Sequence, residues 1–343
     1  MKKHLTGSKF MLFLTLWVVL SQLTITGVLL ALDAADIVNI NIISTSPWYM
    51  VGMQLVILML PLMVWLIMKE DKLAPNIPRQ QLSAKNIILV VAISLLIQPA
   101  MMTLSGISSL FFTNYISEMI YTFMEHPLWL ILLATAVTPA VCEELVFRGY
   151  LQTQHKGRKL KQVAILNGLF FAIIHLNLQQ FAYAFVMGII FVYMVHYTRS
   201  IWAGILSHFI VNATQGIMGR WAFAATDTHA QVQTTERLIP AVSPEVETII
   251  LIGGFALLLA PVIVLLFREF FRYNKSKMAE EAEIAALTQA TIEDIVELTE
   301  LTETSNPMEE DQPVPSLIDK YVIIVILIYA LFQGLLFLGR AVG

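Results

Sequence analysis

One cysteine, Cys142, is all that the 343 residues contain. No disulfide can form within the chain, which excludes a disulfide-stapled secreted domain. Charge is scarce as well. Asp, Glu, Lys and Arg make up 13% of the sequence, about half the ~25% typical of soluble domains. The net charge of −4 lacks the basic footprint of a nucleic-acid binder, so no nucleic-acid partner is expected. The alternating segments of a transmembrane barrel are missing. So is any internal repeat, which leaves an inverted-repeat transporter without support.

Apolar residues are what the chain has in excess, at 57% with a mean hydropathy of +0.72. Runs near 10–31, 48–68, 87–111, 127–147, 161–175, 181–198, 201–218, 249–267 and 321–339 approach or pass the ~18–20 residues that cross a bilayer. They predict an all-α fold, a polytopic membrane helix bundle of about eight to nine transmembrane helices. The fifth, sixth and seventh runs are short and closely spaced, which predicts tilted or partly re-entrant segments. The first run continues for about 22 residues, longer than a signal-peptide core, and is expected to be a retained span. The chain divides into N-terminal helices (1–126), a core (127–218), an outer loop and following helix (219–268), an acidic tether (269–320) and a last helix (321–343).

Basic residues set the expected orientation, because cytoplasmic loops collect Lys and Arg. With the N-terminus in the cytoplasm and nine spans, 18 of the 21 basic residues fall on the cytoplasmic side. Only Arg220, Arg237 and Arg340 fall outside. The compact loops point to a bacterial plasma membrane. Segment 278–318 holds 11 of the 25 acidic residues and no Lys or Arg. It reads either as a solvated tether or as a docking arm for a basic partner.

Charged and imidazole groups inside spans are costly and mark functional sites by default. They cluster between residues 140 and 212. Glu144 and Arg148 are four apart, share one helix face and can pair. Glu143 is turned about 100° from Glu144 and has no partner on its own helix. An unpaired carboxylate in a low-dielectric site can serve as a general base. The plainer reading is an interfacial ion pair with Glu143 in water. Asn167, Phe171 and His175 form one stripe on the fifth run, and His208 and Asn212 another on the seventh. Each histidine alone reads as interhelical hydrogen-bond glue. Together with an unpaired glutamate they could activate water and hold a developing oxyanion. Cys142 reads as packing. A zinc ion held by Glu143 or Glu144 with His175 and His208 competes with the metal-free reading, and spacing does not decide between no cofactor and zinc.

Glu143-Glu144-x-x-x-Arg148, then Phe171-x-x-x-His175, then His208-x-x-x-Asn212, in order on successive segments, resembles the CPBP family of intramembrane proteases. That family includes type II CAAX prenyl endopeptidases and bacteriocin-processing and immunity proteins. The resemblance covers about 127–218. It implies that Glu143 and His175 activate a hydrolytic water, that His208 and Asn212 hold the oxyanion, and that Glu144, Arg148 and Phe171 support the site. It also implies a site opening toward the cytoplasm, and a metalloprotease label with a metal-free mechanism as the alternative. The implied substrate is a membrane-embedded or lipidated protein or peptide. Asn167 departs from the small residue many members have, and the acidic tether and ninth run lie outside the resemblance. A non-proteolytic immunity or peptide-binding protein on the same fold is the competing expectation. Transport fits less well, because the polar groups do not spread along a path.

Overall fold

A computed structural model describes residues 6–73, 77–113, 122–155, 157–227, 239, 241–297 and 317–342. They form helices α1 (Thr6–Ala34), α2 (Ile40–Ser44), α3 (Pro47–Lys69), α4 (Ala84–Ser109), α5 (Leu128–Gln154), α6 (Leu160–Ile174), α7 (Leu178–Thr198), α8 (Ile201–Asp227), α9 (Pro244–Glu297) and α10 (Lys320–Val342). Each of the nine apolar runs is helical, and only the short α2 lies outside them. Among the described residues the β structure is one isolated bridge between Arg79 and Ser200.

Seven helices are long and apolar enough to cross a membrane: α1, α3, α4, α5, α7, α9 and α10. The protein is an all-α polytopic bundle. The other two runs differ from each other. Helix α6 has 15 residues, about 22 Å of rise against a hydrocarbon core of ~30 Å, as its short run predicts. Helix α8 has 27 residues, so the seventh run is not a short element. Its apolar stretch ends near Met218, but no proline separates that point from Asp227, and the helix continues through Gly219. Helix α7 is also full length at 21 residues.

Prolines shape three helices. Pro99 follows the break in α4 at Ile97, where one helical segment ends and the next begins. Pro61 and Pro139 each follow a π-helical turn, Leu55–Met59 in α3 and Leu133–Val137 in α5. A proline has no N–H for the carbonyl four residues back, so carbonyls near each π turn are open to side chains. Trp17 Nε1 donates to the Val56 carbonyl at 3.0 Å. Asn212 Nδ2 donates to the Thr135 carbonyl at 3.1 Å.

Helices α6 and α7 meet backbone to backbone. A Cβ on Gly188 would lie 2.7 Å from Gly168 Cα, and one on Gly168 would lie 2.8 Å from the Phe185 carbonyl oxygen. Small residues at this contact permit the close approach. The outer faces are apolar and bare, with Leu20, Leu23, Leu257, Leu258, Leu327, Leu331 and Phe337 all more than half exposed. The buried interior carries the polar groups. This inside-out distribution suits a lipid surround.

The bundle has two distinct ends. One carries the α3–α4, α5–α6 and α7–α8 connections, the start of α1, the start of α10 and the distal half of α9. Ion pairs tie it together: Lys85 with Glu269 at 2.6 Å, Arg199 with Glu281 at 2.7 Å and Arg158 with Asp319 at 3.2 Å. Asp319 also accepts from Ser8 Oγ at 2.7 Å and caps α10. His155 is buried here, stacked on Phe170 and set against Gly7. The other end carries the α1–α2, α4–α5, α6–α7 and α8–α9 connections. Of the acidic segment 278–318, residues 298–316 lie outside the described residues. Up to Glu297 it continues α9 as a single 54-residue helix.

Candidate active site

Helix α5 presents its two carboxylates in different directions. Arg148 Nη1 donates to Glu144 Oε1 at 2.9 Å, and Arg148 Nη2 donates to the Gly188 carbonyl at 3.0 Å. Both side chains are fully buried. The guanidinium carbon lies 4.7 Å from the Phe171 ring centre and 5.0 Å from that of Phe191. The α6–α7 glycine contact therefore places the Gly188 carbonyl where the arginine can reach it. Glu144 also reaches α8: His208 Nδ1 lies 3.1 Å from its Oε1. An ionised carboxylate only accepts, so His208 donates from Nδ1 and presents Nε2 on the other side of its ring. The ring stacks on Phe191 and meets Phe171 edge-on, with centroids 5.2 and 5.8 Å apart.

Glu143 points elsewhere. Its Oε2 lies 3.9 Å from His208 Nε2 and has no hydrogen-bond partner, while Gln54 Nε2 donates to its Oε1 at 3.5 Å. Gln54 stands just before the π turn of α3. His175, at the C-terminal end of α6, has Nδ1 2.6 Å from the Phe171 carbonyl oxygen. That carbonyl can only accept, so Nδ1 carries the proton and Nε2 offers a lone pair. Phe171 also packs edge-on against the His175 ring, with centroids 5.0 Å apart. Asn167 donates to the Val163 carbonyl of its own helix at 3.0 Å and does not line the site.

Glu143, His175, His208 and Asn212 all line one cavity of about 350 Å³. Phe171 lines it as well, whereas Glu144 and Arg148 stand behind it. Gln22, Gln54, Gln180, Gln215, Tyr49 and Tyr183 add a polar rim to an otherwise apolar wall. The wall includes residues of α1 and α3, so the site is completed from outside the segment that carries the motifs.

Four further residues bear on these contacts. Gly204 of α8 faces Glu144, and a Cβ there would lie 2.5 Å from Glu144 Oε2 and 3.0 Å from Val195 Cγ2. Glu144 is pinned by Arg148 and His208 and cannot withdraw. Gly204→Ala is therefore expected to destabilise the protein by about 1–3 kcal/mol through overpacking, read as a lowered thermal midpoint in detergent. An unchanged midpoint would mean that Glu144 can move. Pro139 lacks the N–H that the Thr135 carbonyl would otherwise accept, and Asn212 takes that carbonyl. Leu176, next to His175, adopts φ +48, the left-handed conformation that costs a branched residue about 1–2 kcal/mol. Gln333 of α10 donates to its carbonyl at 2.9 Å. Gln333→Leu is expected to speed amide exchange at residues 175–177 and leave the rest of α6 unchanged, measured by hydrogen-exchange mass spectrometry in nanodiscs. Equal exchange in the two proteins would show that the turn holds itself.

A zinc site needs three protein ligands converging at about 2 Å. Among the described residues, no three His, Cys, Asp or Glu side chains are gathered in this way. The set Glu143, His175 and His208 does not fit a metal as arranged.

The cavity also has a definite level in the bundle. On α5 its lining runs from Thr135 to Glu143 and stops short of Arg148. On α6 it uses the C-terminal residues, on α7 residues 180–191, on α8 the middle residues 208–216, on α3 residues 49–58, and it includes Phe123 from the α4–α5 connection. It thus runs from the middle of the bundle, where Glu143 and His208 stand, toward the end away from the ion pairs.

Residues 125–214 match the family model described as type II CAAX prenyl endopeptidase, Rce1-like. The matched stretch carries an Rce1-like domain, of a CAAX-type intramembrane protease family, and includes all seven motif residues. Gln54 and Gln333 lie outside it. Searches of curated proteins and of solved structures gave no match.

Proposed function

We propose that the protein is an intramembrane endopeptidase that hydrolyses a peptide bond with water activated by Glu143. The observation that carries this reading is the division of the two adjacent glutamates. Each keeps its Oε2 without a hydrogen-bond partner, but Glu144 gives Oε1 to Arg148 and His208 and packs Oε2 against Gly204 behind the cavity, whereas Glu143 lines the cavity together with His175, His208 and Asn212. Its Oε2 is therefore available to take a proton from water.

The cluster holds two carboxylates and one guanidinium. One further proton makes it neutral, and that proton has two seats 3.9 Å apart, Glu143 Oε2 and His208 Nε2. With the proton on His208, Glu143 is a free carboxylate and His208 Nε2 is a donor. Glu143, aided by the lone pair on His175 Nε2, then takes a proton from water. The hydroxide oxygen bonds to the substrate carbonyl carbon. The resulting oxyanion accepts from His208 Nε2–H and from the amide of Asn212, which gives only one of its two N–H groups to Thr135. Collapse breaks the C–N bond, and Glu143 returns its proton to the departing amine. Glu144 and Arg148 hold His208 in the required tautomer and orientation.

The proposed substrate is a membrane-embedded or lipidated protein or peptide, since the cavity wall mixes apolar side chains with amide and hydroxyl groups. The test compares protein N-termini in membranes carrying the wild-type chain with those carrying Glu143→Gln at matched levels. Termini that appear only with the wild type identify both proteolysis and substrate. Identical sets of termini would remove the reading.

A further inference from the structure

Where its apolar run ends at Phe267, helix α9 carries four basic residues, Arg268, Arg272, Lys275 and Lys277. A turn of about 100° per residue puts Arg268, Arg272 and Lys275 within an arc of about 60°. Leu257, Leu258 and Leu265, all exposed, continue the same face into the apolar part of the span. Phe270 and Asn274 are buried and lie across the helix from it. That inner side is fastened to α4: Asn274 and Asn86 exchange hydrogen bonds of 2.9 Å, and Glu269 pairs with Lys85 at 2.6 Å. Lys85 stands in the first turn of α4, where that span begins. The basic face of α9 therefore starts at the height where hydrocarbon gives way to headgroups, and it points away from the bundle.

Leu265, Arg268, Phe271, Arg272 and Lys275 line an open groove of about 540 Å³ together with Glu269. The end of α7 flanks it with aromatic rings. Phe271 meets Tyr193 edge-on and Tyr197 at a tilt, with centroids 6.0 and 5.0 Å apart, and Lys275 Nζ lies 5.9 Å from the Tyr197 ring centre. Glu269, the one acid in the lining, is already shared between Lys85 and Arg272. Lys277 pairs with Glu281. Among the described residues, Arg268 and Lys275 have no such acid. The retention of basic residues in the cytoplasm depends on their number near a span end. It does not require three of them on one outward strip, set over leucines and beside tyrosines. A phospholipid has that same order, a phosphate at the surface and acyl chains below.

We propose that this face of α9 binds an anionic phospholipid, with Arg268 and Lys275 holding the phosphate and the acyl chains lying along Leu257, Leu258 and Leu265. Arg268 and Lys275 are about 10 Å apart along the helix axis, and both side chains are long enough to bend toward one headgroup. The guanidinium of Arg268 can give a phosphate two parallel hydrogen bonds. Tyr197 supplies the far wall, so a lipid seated here joins α9 to the end of α7. None of these residues lines the candidate active site, and the lipid site stands whether or not the protein is a protease.

The test titrates the full chain, purified in detergent and stripped of lipid, with phosphatidylglycerol and separately with phosphatidylcholine. Native mass spectrometry counts the first lipid bound. The wild type is expected to hold phosphatidylglycerol the more tightly. The double change Arg268→Gln with Lys275→Gln is expected to weaken that binding by about five-fold for each charge removed. Lys159→Gln with Lys161→Gln removes the same charge from exposed positions at the same end of the bundle, and is expected to leave the binding unchanged. The exchange Arg268→Lys with Lys275→Arg keeps the charge and is expected to bind like the wild type. No preference for phosphatidylglycerol, an unchanged affinity in the neutral α9 variant, or an equal loss in the Lys159 and Lys161 control overturns the proposal. A loss in the charge-keeping exchange as large as in the neutral variant overturns it as well, because the effect would then follow the fold and not the charge. Inorganic phosphate in excess is expected to leave the lipid in place; displacement by phosphate alone would overturn the lipid assignment in favour of a free anion.

Discussion

Glu143→Gln is expected to lower the cutting rate by about 10²–10⁴-fold while leaving the protein folded. The size follows from the role. A general base positioned at the water contributes on that scale, and the amide of Gln cannot take the proton. Retained folding follows from the surroundings. Glu143 Oε2 has no hydrogen-bond partner and lies 3.9 Å from His208 Nε2, so an isosteric neutral side chain loses only that long contact. Gln54 can still meet the Oε1 of the new residue. Initial rates on a peptide spanning the identified cut site, with thermal midpoints of both proteins in the same detergent, give the comparison. A variant that cuts within tenfold of wild type would move the base elsewhere, with His175 Nε2 the next candidate.

Arg148→Met is expected to cost about 3–5 kcal/mol of stability, because it leaves the Glu144 charge buried without its main partner. The arginine has no exposed surface. It bonds Glu144 and the Gly188 carbonyl and lies against two aromatic rings, so it joins α5, α6 and α7 at one point. Arg148→Lys is expected to recover little, because a single ammonium on a flexible stem does not reproduce the planar fork that reaches both acceptors. The double change Glu144→Gln with Arg148→Met is expected to recover much of the loss, since it removes both charges. It should not restore cutting, because His208 loses the carboxylate that sets its tautomer. Thermal midpoints of the three variants decide the matter, and a stable Arg148→Met would show that water reaches Glu144.

Local periodicity accounts for what the sequence could show. The Glu144–Arg148 pair and the Phe171–His175 contact both lie at i, i+4 on one helix, and both are present as spaced. The same arithmetic separates Glu143 from Glu144, and the cavity includes one and not the other. Contacts between helices left no such trace. Glu144 meeting His208 depends on Gly204 letting α8 approach. Gln54 and Gln333 are single amides in apolar spans, and nothing in their own neighbourhoods shows that one reaches Glu143 and the other the strained turn after His175. The length of α8 was hidden because hydropathy falls at Arg220 while helix propensity does not. The level of the cavity was hidden for a related reason: spacing on one helix gives a face, and only the stacking of several helices gives a depth.

Helix α9 carries one more consequence. From Arg268, where its basic residues begin, it runs 29 residues to Glu297 without interruption, a rise of about 44 Å. Lys85 and Arg199 hold its first part to the bundle through Glu269 and Glu281, and the 16 residues past Glu281 extend it as a mast of about 24 Å. Fitted with a rigid reporter at its tip, such a mast would make the tilt of one span legible tens of ångströms away.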